Sequence, residues 1–358
     1  MQDAEHELKK QIEIQFDCDK RSIKLISRLI IALLKLSESN LSKWSKGMSG
    51  HTLLSSKYRC LQRFLSVFRF SGQLYFEVVW GIYGGETEVF LSLDRTEWKM
   101  RGVWVQVLML SILHDGVSIP LLWQCSSRHG HSSQTTKKAL FLCLQKWITR
   151  KTDQQVWLCA DREFGSKGFF EDCKKAGINA CVRLKKSTLV RGGQGNKKVY
   201  TLFENNLKAS YFKPLKIMGL PLYLSGHKLK KKNISDKDEY FILASETYRK
   251  DLAVVYRKRW PIECLFAMLK SREFNIEKCR VNHSKRIKTL IYILAMAIIW
   301  AVKTGQWLMK NNKSIPIKTF KDNTKQKVKS VFRCGLDHIQ NIFLNNLDFH
   351  HIVNLCRV

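Results

Sequence analysis

Three carboxylates and a group of cations stand at spacings that could hold metal ions beside a phosphate. Asp94 closes an alternating apolar stretch (VFLSLDRTEW), and Asp161 directly follows an apolar one (VWLCADREFGS), so both are expected at strand ends. If those two strands are neighbours, the carboxylates converge at one edge and repel unless a divalent cation neutralises them. Two such ions, about 3.5–4 Å apart, activate an attacking oxygen and stabilise a leaving one in phosphodiester displacement. The competing reading makes Asp161 a helix N-cap or loop residue ahead of Phe164 to Gly168.

The third carboxylate, Glu263, lies in YRKRWPIECLFAMLK, residues 256–270. Counting from Tyr256, Arg259 lies 3 on, Glu263 lies 7 on and Lys270 lies 14 on. At about 100° per residue these fall within roughly 60° of one another, so one helix face presents a carboxylate between cations and a phenol. Pro261 removes a backbone donor and is expected to kink or restart the helix. The phase between Glu263 and Lys270 survives such a kink; that of Tyr256 and Arg259 is less fixed.

The elements that must position these groups follow from periodicity. Strands are expected over 86–94, 104–112 and 117–123, the last two joined by the turn Leu113 to Gly116, giving a three-strand meander. A helix capped near Ser132 and Ser133 then runs to about Arg150, followed by a strand at 156–160, a helix at 166–176 and a strand at 180–184. That order, which other folds share, is that of a ribonuclease H-like α/β catalytic core, expected over 86–184 and 245–310. Helical stretches at 247–279 and 285–310 belong to its second part. Residues 185–244, turn-rich and basic, form an inserted β-rich subdomain, and 311–358 a basic C-terminal helical tail.

Ahead of the core, residues 1–70 are a helical region. Residues 22–36 form an amphipathic surface helix, and two further helices flank a turn at Gly47 to Gly50, the second carrying Lys57, Arg59 and Arg63. This pair is either a helix-turn-helix that reads DNA ends in the major groove or part of a helical bundle with a solvated basic face.

The 62 basic and 30 acidic residues leave a net charge of +32, which makes nucleic acid the leading partner. The 11 cysteines, odd in number and without a C-x-x-C pair, are expected as reduced thiols in a cytoplasmic protein. No apolar h-region opens the chain. The apolar run from Leu290 to Val302 is shorter than the roughly 20 residues that span a bilayer, and is expected as a buried helix, so no membrane partner is expected. His129 and His131 have metal-ligand chemistry but lack partners at zinc spacing, and neither Gly81 to Gly85 nor Arg191 to Gly195 fits a phosphate-cradling loop.

With its Tyr256, Arg259, Glu263 and Lys270, the chain resembles the cut-and-paste DDE transposases of bacterial insertion sequences, in the branch marked by Y-x2-R-x3-E-x6-K. Trp260 and Pro261, the LDRT around Asp94 and the ADREF around Asp161 are similar to that family's motifs, and the resemblance covers roughly residues 50–340. It implies a ribonuclease H-like core in which Asp94, Asp161 and Glu263 hold two Mg2+ (or Mn2+) ions. It implies further that Tyr256, Arg259 and Lys270, beside Trp260, grip the terminal phosphates of a DNA end. The implied activity is binding of inverted terminal repeats in double-stranded DNA, pairing of two ends in a homodimer, strand hydrolysis at each end and transfer of the 3′-hydroxyls into target DNA.

The resemblance also implies a base flipped at the DNA end and stacked on a tryptophan of the inserted region, but residues 185–244 contain no Trp, which departs from the family. Stacking of a flipped base then falls to Tyr200, Phe203, Tyr211 or Tyr223, or to Trp260, against a core-packing reading for each. The rival functions are a ribonuclease H-like nuclease or junction resolvase that cuts without joining, and a DNA-binding regulator derived from an inactive transposase. The first has no need of the Tyr, Arg and Lys face beside Glu263, and the presence of all three acids argues against the second.

Overall fold

The computed structural model describes residues 2–16, 18–127, 130, 134–148, 154–192, 195–205, 209–211, 213–229, 239–311, 317–319, 325–345, 347, 348, 352, 354 and 355. Its centre is a meander of β1 (Glu88–Met100), β2 (Val103–His114) and β3 (Val117–Ser126), turned at Arg101 and Gly102 and again at Asp115 and Gly116, where positive φ angles close the two hairpins. The strands are rich in Val, Leu, Ile and Trp because both faces are covered, as the unbroken burial of Val105 to Ile112 shows.

Helix α6 (Gln134–Ile148) returns the chain to β4 (Gln155–Ala160), which runs parallel to β1, and α7 (Lys167–Lys175) leads to β5 (Ile178–Arg183), parallel to β4. The resulting order is β3-β2-β1-β4-β5, a mixed sheet. The expected helix cap at Ser132 and Ser133, the end of that helix at Arg150, and His129 and His131 lie outside the described residues.

The segment expected as an inserted subdomain continues this same sheet. Strands β6 (Leu189–Gly192), β7 (Gly195–Lys198), β8 (Ala209–Ser210), β9 (Leu215–Ile217) and β10 (Leu220–Lys228) precede β11 (Tyr240–Ser245). Strand β11 pairs antiparallel with β5 through Leu243 and Ala244, giving eleven strands in one sheet among the described residues. Backbone donors on the free edge of β5 take the nearest available partner, and sequence periodicity carries no information on which strand that is.

Below the sheet lies α10 (Ser284–Lys310), buried over almost its whole length as expected of the apolar run. It is long and apolar enough to cross a bilayer, yet 89% of its most apolar 18-residue window is buried inside the protein. Helices α1 (Gln2–Gln15), α2 (Lys20–Leu36), α3 (Leu41–Gly47), α4 (Leu54–Val67) and α5 (Gly72–Tyr83) share one continuous core with the sheet and α10. The N-terminal helices are therefore packed onto the rest of the protein. Helix α2, capped by Asp19, is more buried than a surface helix: Ile23, Ile26 and Leu29 to Leu34 are enclosed, and Arg28 turns outward to pair with Glu5 at 2.6 Å.

The described part of residues 311–358 includes a helix that packs on the core. Helix α11 (Val331–Leu344) buries Val331, Phe332, Leu336, Ile339 and Ile342, and Gln340 donates to the Leu34 carbonyl at 3.2 Å. It crosses α10 so closely that a Cβ on Gly335 would lie 1.8 Å from the Ala301 carbonyl oxygen. A short hairpin, β12 (Ile317–Thr319) and β13 (Lys325–Lys327), precedes it.

Helices α3 and α4 do flank a turn, but the three basic residues of α4 part company. Arg59 and Arg63 are exposed, whereas Lys57 is only 9% exposed and its ammonium donates to the Met48 carbonyl at 2.8 Å. Lys57 is thus corrected from a candidate DNA contact to a tie across the turn, because a buried ammonium must find an acceptor inside the protein.

Candidate active site

Asp94 does not close its strand, which continues to Met100 with β2 as its partner. What ends at this point is the parallel ladder between β1 and β4, whose last register pair is Leu93 with Ala160. Asp94 and Asp161 are the next residues on the two chains, so they emerge side by side where the ladder stops. Asp161 takes the N-cap position of the 3-10 turn Arg162–Phe164, but its side chain makes no capping hydrogen bond there.

The third segment packs on the same face. Helix α8 (Leu252–Arg257) buries Leu252, Val255 and Tyr256 at helical spacing against Phe90, Trp157, Cys159, Cys181 and Leu243. Two buried thiols tie it down: Cys159 Sγ donates to the Val255 carbonyl and Cys181 Sγ to that of Leu252. Pro261 restarts the chain as α9 (Pro261–Ala267), as the sequence suggests, since proline suits a first helical turn.

Between the two helices the backbone tightens to i→i+3 bonds. Arg259 N donates to Tyr256 O, Trp260 N to Arg257 O, Ile262 N to Arg259 O and Glu263 N to Trp260 O. In that pitch residues three apart eclipse, so Tyr256 and Arg259 project together over the strand ends. Tyr256 donates its hydroxyl to Asp161 Oδ1 at 3.3 Å. Arg259 bridges Asp94 Oδ2 at 2.6 Å and Glu263 Oε1 at 2.5 Å. Sequence reasoning left the phase of these two residues open; the tight turn decides it.

Lys270 is not part of this cluster. It lies in a π-helical turn, Met268–Arg272, that rotates the chain after α9, and its ammonium pairs with Glu277 at 3.7 Å. The constant 100° step assumed for Glu263 and Lys270 does not hold across that turn. Trp260, by contrast, is 63% exposed beside the cluster. The aromatics of the 185–244 segment are turned to packing: Phe203 is buried, Tyr211 meets it edge-on, Tyr200 packs on Tyr240 and Tyr223 on Tyr248.

Burial is the largest influence on the charges of this cluster. Burial raises the Asp94 carboxyl above the usual range, opposed by Arg259 and reinforced by the neighbouring Asp161. Burial works against the Arg259 charge, but Tyr256, Asp94, Glu263 and Asp161 outweigh it, so its pKa is raised. Burial also pushes the Tyr256 phenol up, keeping it a neutral donor. Among the described residues no three His, Cys, Asp or Glu side chains are arranged to hold an ion as they stand, and Arg259 occupies the place between Asp94 and Glu263. The donor chemistry suits Mg2+ or Mn2+, since all three acids offer hard carboxylate oxygens.

Sequence reasoning missed Arg95 and Glu163, which join the two carboxylate-bearing segments from behind. Arg95 Nε donates to Glu163 Oε2 at 3.1 Å. The available signal was a charged residue one past Asp94 in LDRT and two past Asp161 in ADREF.

Two aspartates beside the end of the β1–β4 ladder are thus faced by a helix that carries a glutamate. The family model for the transposase DDE domain matches residues 85–300, more than half of the 358 residues and all of the cluster above. The chain belongs to that family, and its function is that of a transposase, an enzyme acting on DNA; such domains generally use divalent metal ions. No curated protein matches the chain.

Proposed function

We propose that Asp94, Asp161 and Glu263 are the metal-holding triad of a ribonuclease H-like core that cleaves transposon ends and joins their 3′-hydroxyls to target DNA. The observation that carries this reading is the register of β1 and β4, which stops one residue short of both aspartates, with Glu263 joined to Asp94 through Arg259. The strand order β3-β2-β1-β4-β5 supports the fold assignment. Two Mg2+ or Mn2+ ions, when bound, supply the Lewis acidity that activates one oxygen and stabilises another.

The chain's own residues do the rest. Arg259 neutralises Asp94 and Glu263 in the absence of metal and, once released, offers a forked cation to a DNA-end phosphate. Tyr256 holds Asp161 in place with its hydroxyl. Exposed Trp260 offers a stacking surface to an end base, and Arg59 and Arg63 present cations to inverted-repeat DNA. Two ends must be held together for joining, so a homodimer is the working assembly, in the cytoplasm with access to the nucleoid. Lys270 keeps a phosphate-gripping role in this reading only if DNA draws it from Glu277.

The test is a gel shift beside a cleavage and strand-transfer assay in Mg2+. Asp94→Ala, Asp161→Ala and Glu263→Ala should each abolish cleavage while DNA binding persists, because they remove metal ligands and leave phosphate contacts. Normal cleavage by any one of them would remove that residue from the site, and cleavage without joining by the parent would favour a nuclease or resolvase.

A further inference from the structure

We propose that Arg95 is a positioning residue which, through Glu163, sets the separation of Asp94 and Asp161; the inference rests on those two aspartates being metal ligands. The backbone ladder cannot set that separation, because its last pair is Leu93 with Ala160. Beyond it, two neighbouring carboxylates of like charge repel one another. Side-chain ties can add to the ladder there.

Arg95 stands at that point. Its backbone N–H donates to Asp94 Oδ1 at 2.8 Å, which orients the carboxylate. Strand alternation sends its side chain to the opposite face, where Nε reaches Glu163 Oε2 at 3.1 Å. Glu163 is two residues past Asp161 in a 3-10 turn anchored by buried Phe164. One guanidinium therefore ties the residue after Asp94 to the turn after Asp161.

Arg95 is itself held. It also donates to Glu97 and to the Gly130 carbonyl, and Glu97 Oε1 accepts from Gly130 N at 3.1 Å and from Gln106 Nε2 at 3.3 Å. The Arg95, Glu97 and Glu163 side chains are only 19%, 20% and 17% exposed, which limits solvent screening of the ties. A rigid planar fork with several directed donors can span these acceptors at once, which a single ammonium cannot.

Mn2+ affinity of the full chain without DNA, measured by isothermal titration calorimetry beside thermal melts in chelator, tests this. Glu163→Ala leaves Arg95 satisfied by Glu97 and Gly130, so it should fold and yet bind Mn2+ about 10-fold or more weakly, as losses behind a metal site generally do. Arg95→Lys should show the same weakening. Arg249→Lys serves as the control: it disturbs another ion-pair network, with Glu88 and Asp251, at the far end of β1, and should lower the melting temperature without changing Mn2+ affinity.

If Arg95→Lys does not fold, Glu163→Ala decides alone. Mn2+ affinity within twofold of the parent in a folded Glu163→Ala protein would overturn the proposal and leave the network a purely structural one. Asp94→Asn separates the two levels of inference: if it leaves parental Mn2+ binding intact, the metal-site reading has failed, and the positioning role with it.

Discussion

Arg259 and Asp94, 165 positions apart in sequence, form a 2.6 Å ion pair in which the guanidinium is 11% and the carboxylate 17% exposed. It is therefore no dispensable surface contact. Removing the arginine leaves Asp94 half-enclosed beside Asp161, with Glu263 also released. Arg259→Ala should lower stability by about 1.5–3 kcal/mol in chelator. Part of that loss should return on adding Mg2+, since a divalent cation neutralises the same carboxylates and binds only the folded state. Thermal melts with and without Mg2+ check it; equal losses in both conditions would separate Arg259 from the metal site.

Trp260 contributes little to the core at 63% exposure, so Trp260→Ala should melt within about 1 °C of the parent. If the ring stacks on an end base, the variant should bind a transposon-end duplex with about 1–3 kcal/mol less affinity. DNA-induced fluorescence quenching that is present in the parent and lost in Trp260→Ala gives an independent reading, and unchanged affinity would return the stacking role to another residue.

The basic residues of α4 should divide by burial. Lys57→Ala removes a buried donor to the Met48 carbonyl and is expected to lower the melting temperature. The double variant Arg59→Ala with Arg63→Ala should keep the parental melt and flatten the dependence of DNA affinity on salt, because two counterion-displacing charges are gone. A double variant with the parental salt slope would place the DNA elsewhere.

Glu246, half-buried at the end of β11, has its carboxyl raised from 4.5 to about 7, chiefly by burial, with Lys174 opposing and Glu171 reinforcing. The protonated form is favoured by folding, so its contribution to stability is fully present below about pH 4.5 and is lost as pH rises through 7. Glu246→Gln should therefore match the parent near pH 4.5 and exceed it at pH 8. Melting curves across that range decide it; parallel pH profiles would show that Glu246 titrates as a solvated acid.

The crossing of α10 and α11 leaves no room for a side chain at Gly335, where a Cβ would meet Ala301 O at 1.8 Å. Gly335→Ala should force the helices apart and cost about 1–3 kcal/mol or more, despite the better helix propensity of alanine. A melting temperature at or above the parent's would show that the helices shift freely.

What the sequence determined by itself is local and periodic. The alternating strands around Asp94 and before Asp161, the apolar run that becomes α10, and the restart at Pro261 each follow from residue types within one element. That the two aspartates meet rests on the pairing of β1 with β4, which the sequence left conditional. The tertiary structure decided everything that depends on how elements meet. Tyr256 and Arg259 came to lie over the carboxylates because an i→i+3 turn bridges α8 and α9, and Lys270 left them because a π turn intervenes. Lys57 turned inward because the α3–α4 turn offered an acceptor, and β11 joined the free edge of β5. Arg95 and Glu163 found each other across 68 residues. Periodicity carries the phase of a residue within its own helix or strand, whereas the partner of a charge or an edge strand is chosen by burial and by the need to satisfy every enclosed polar group.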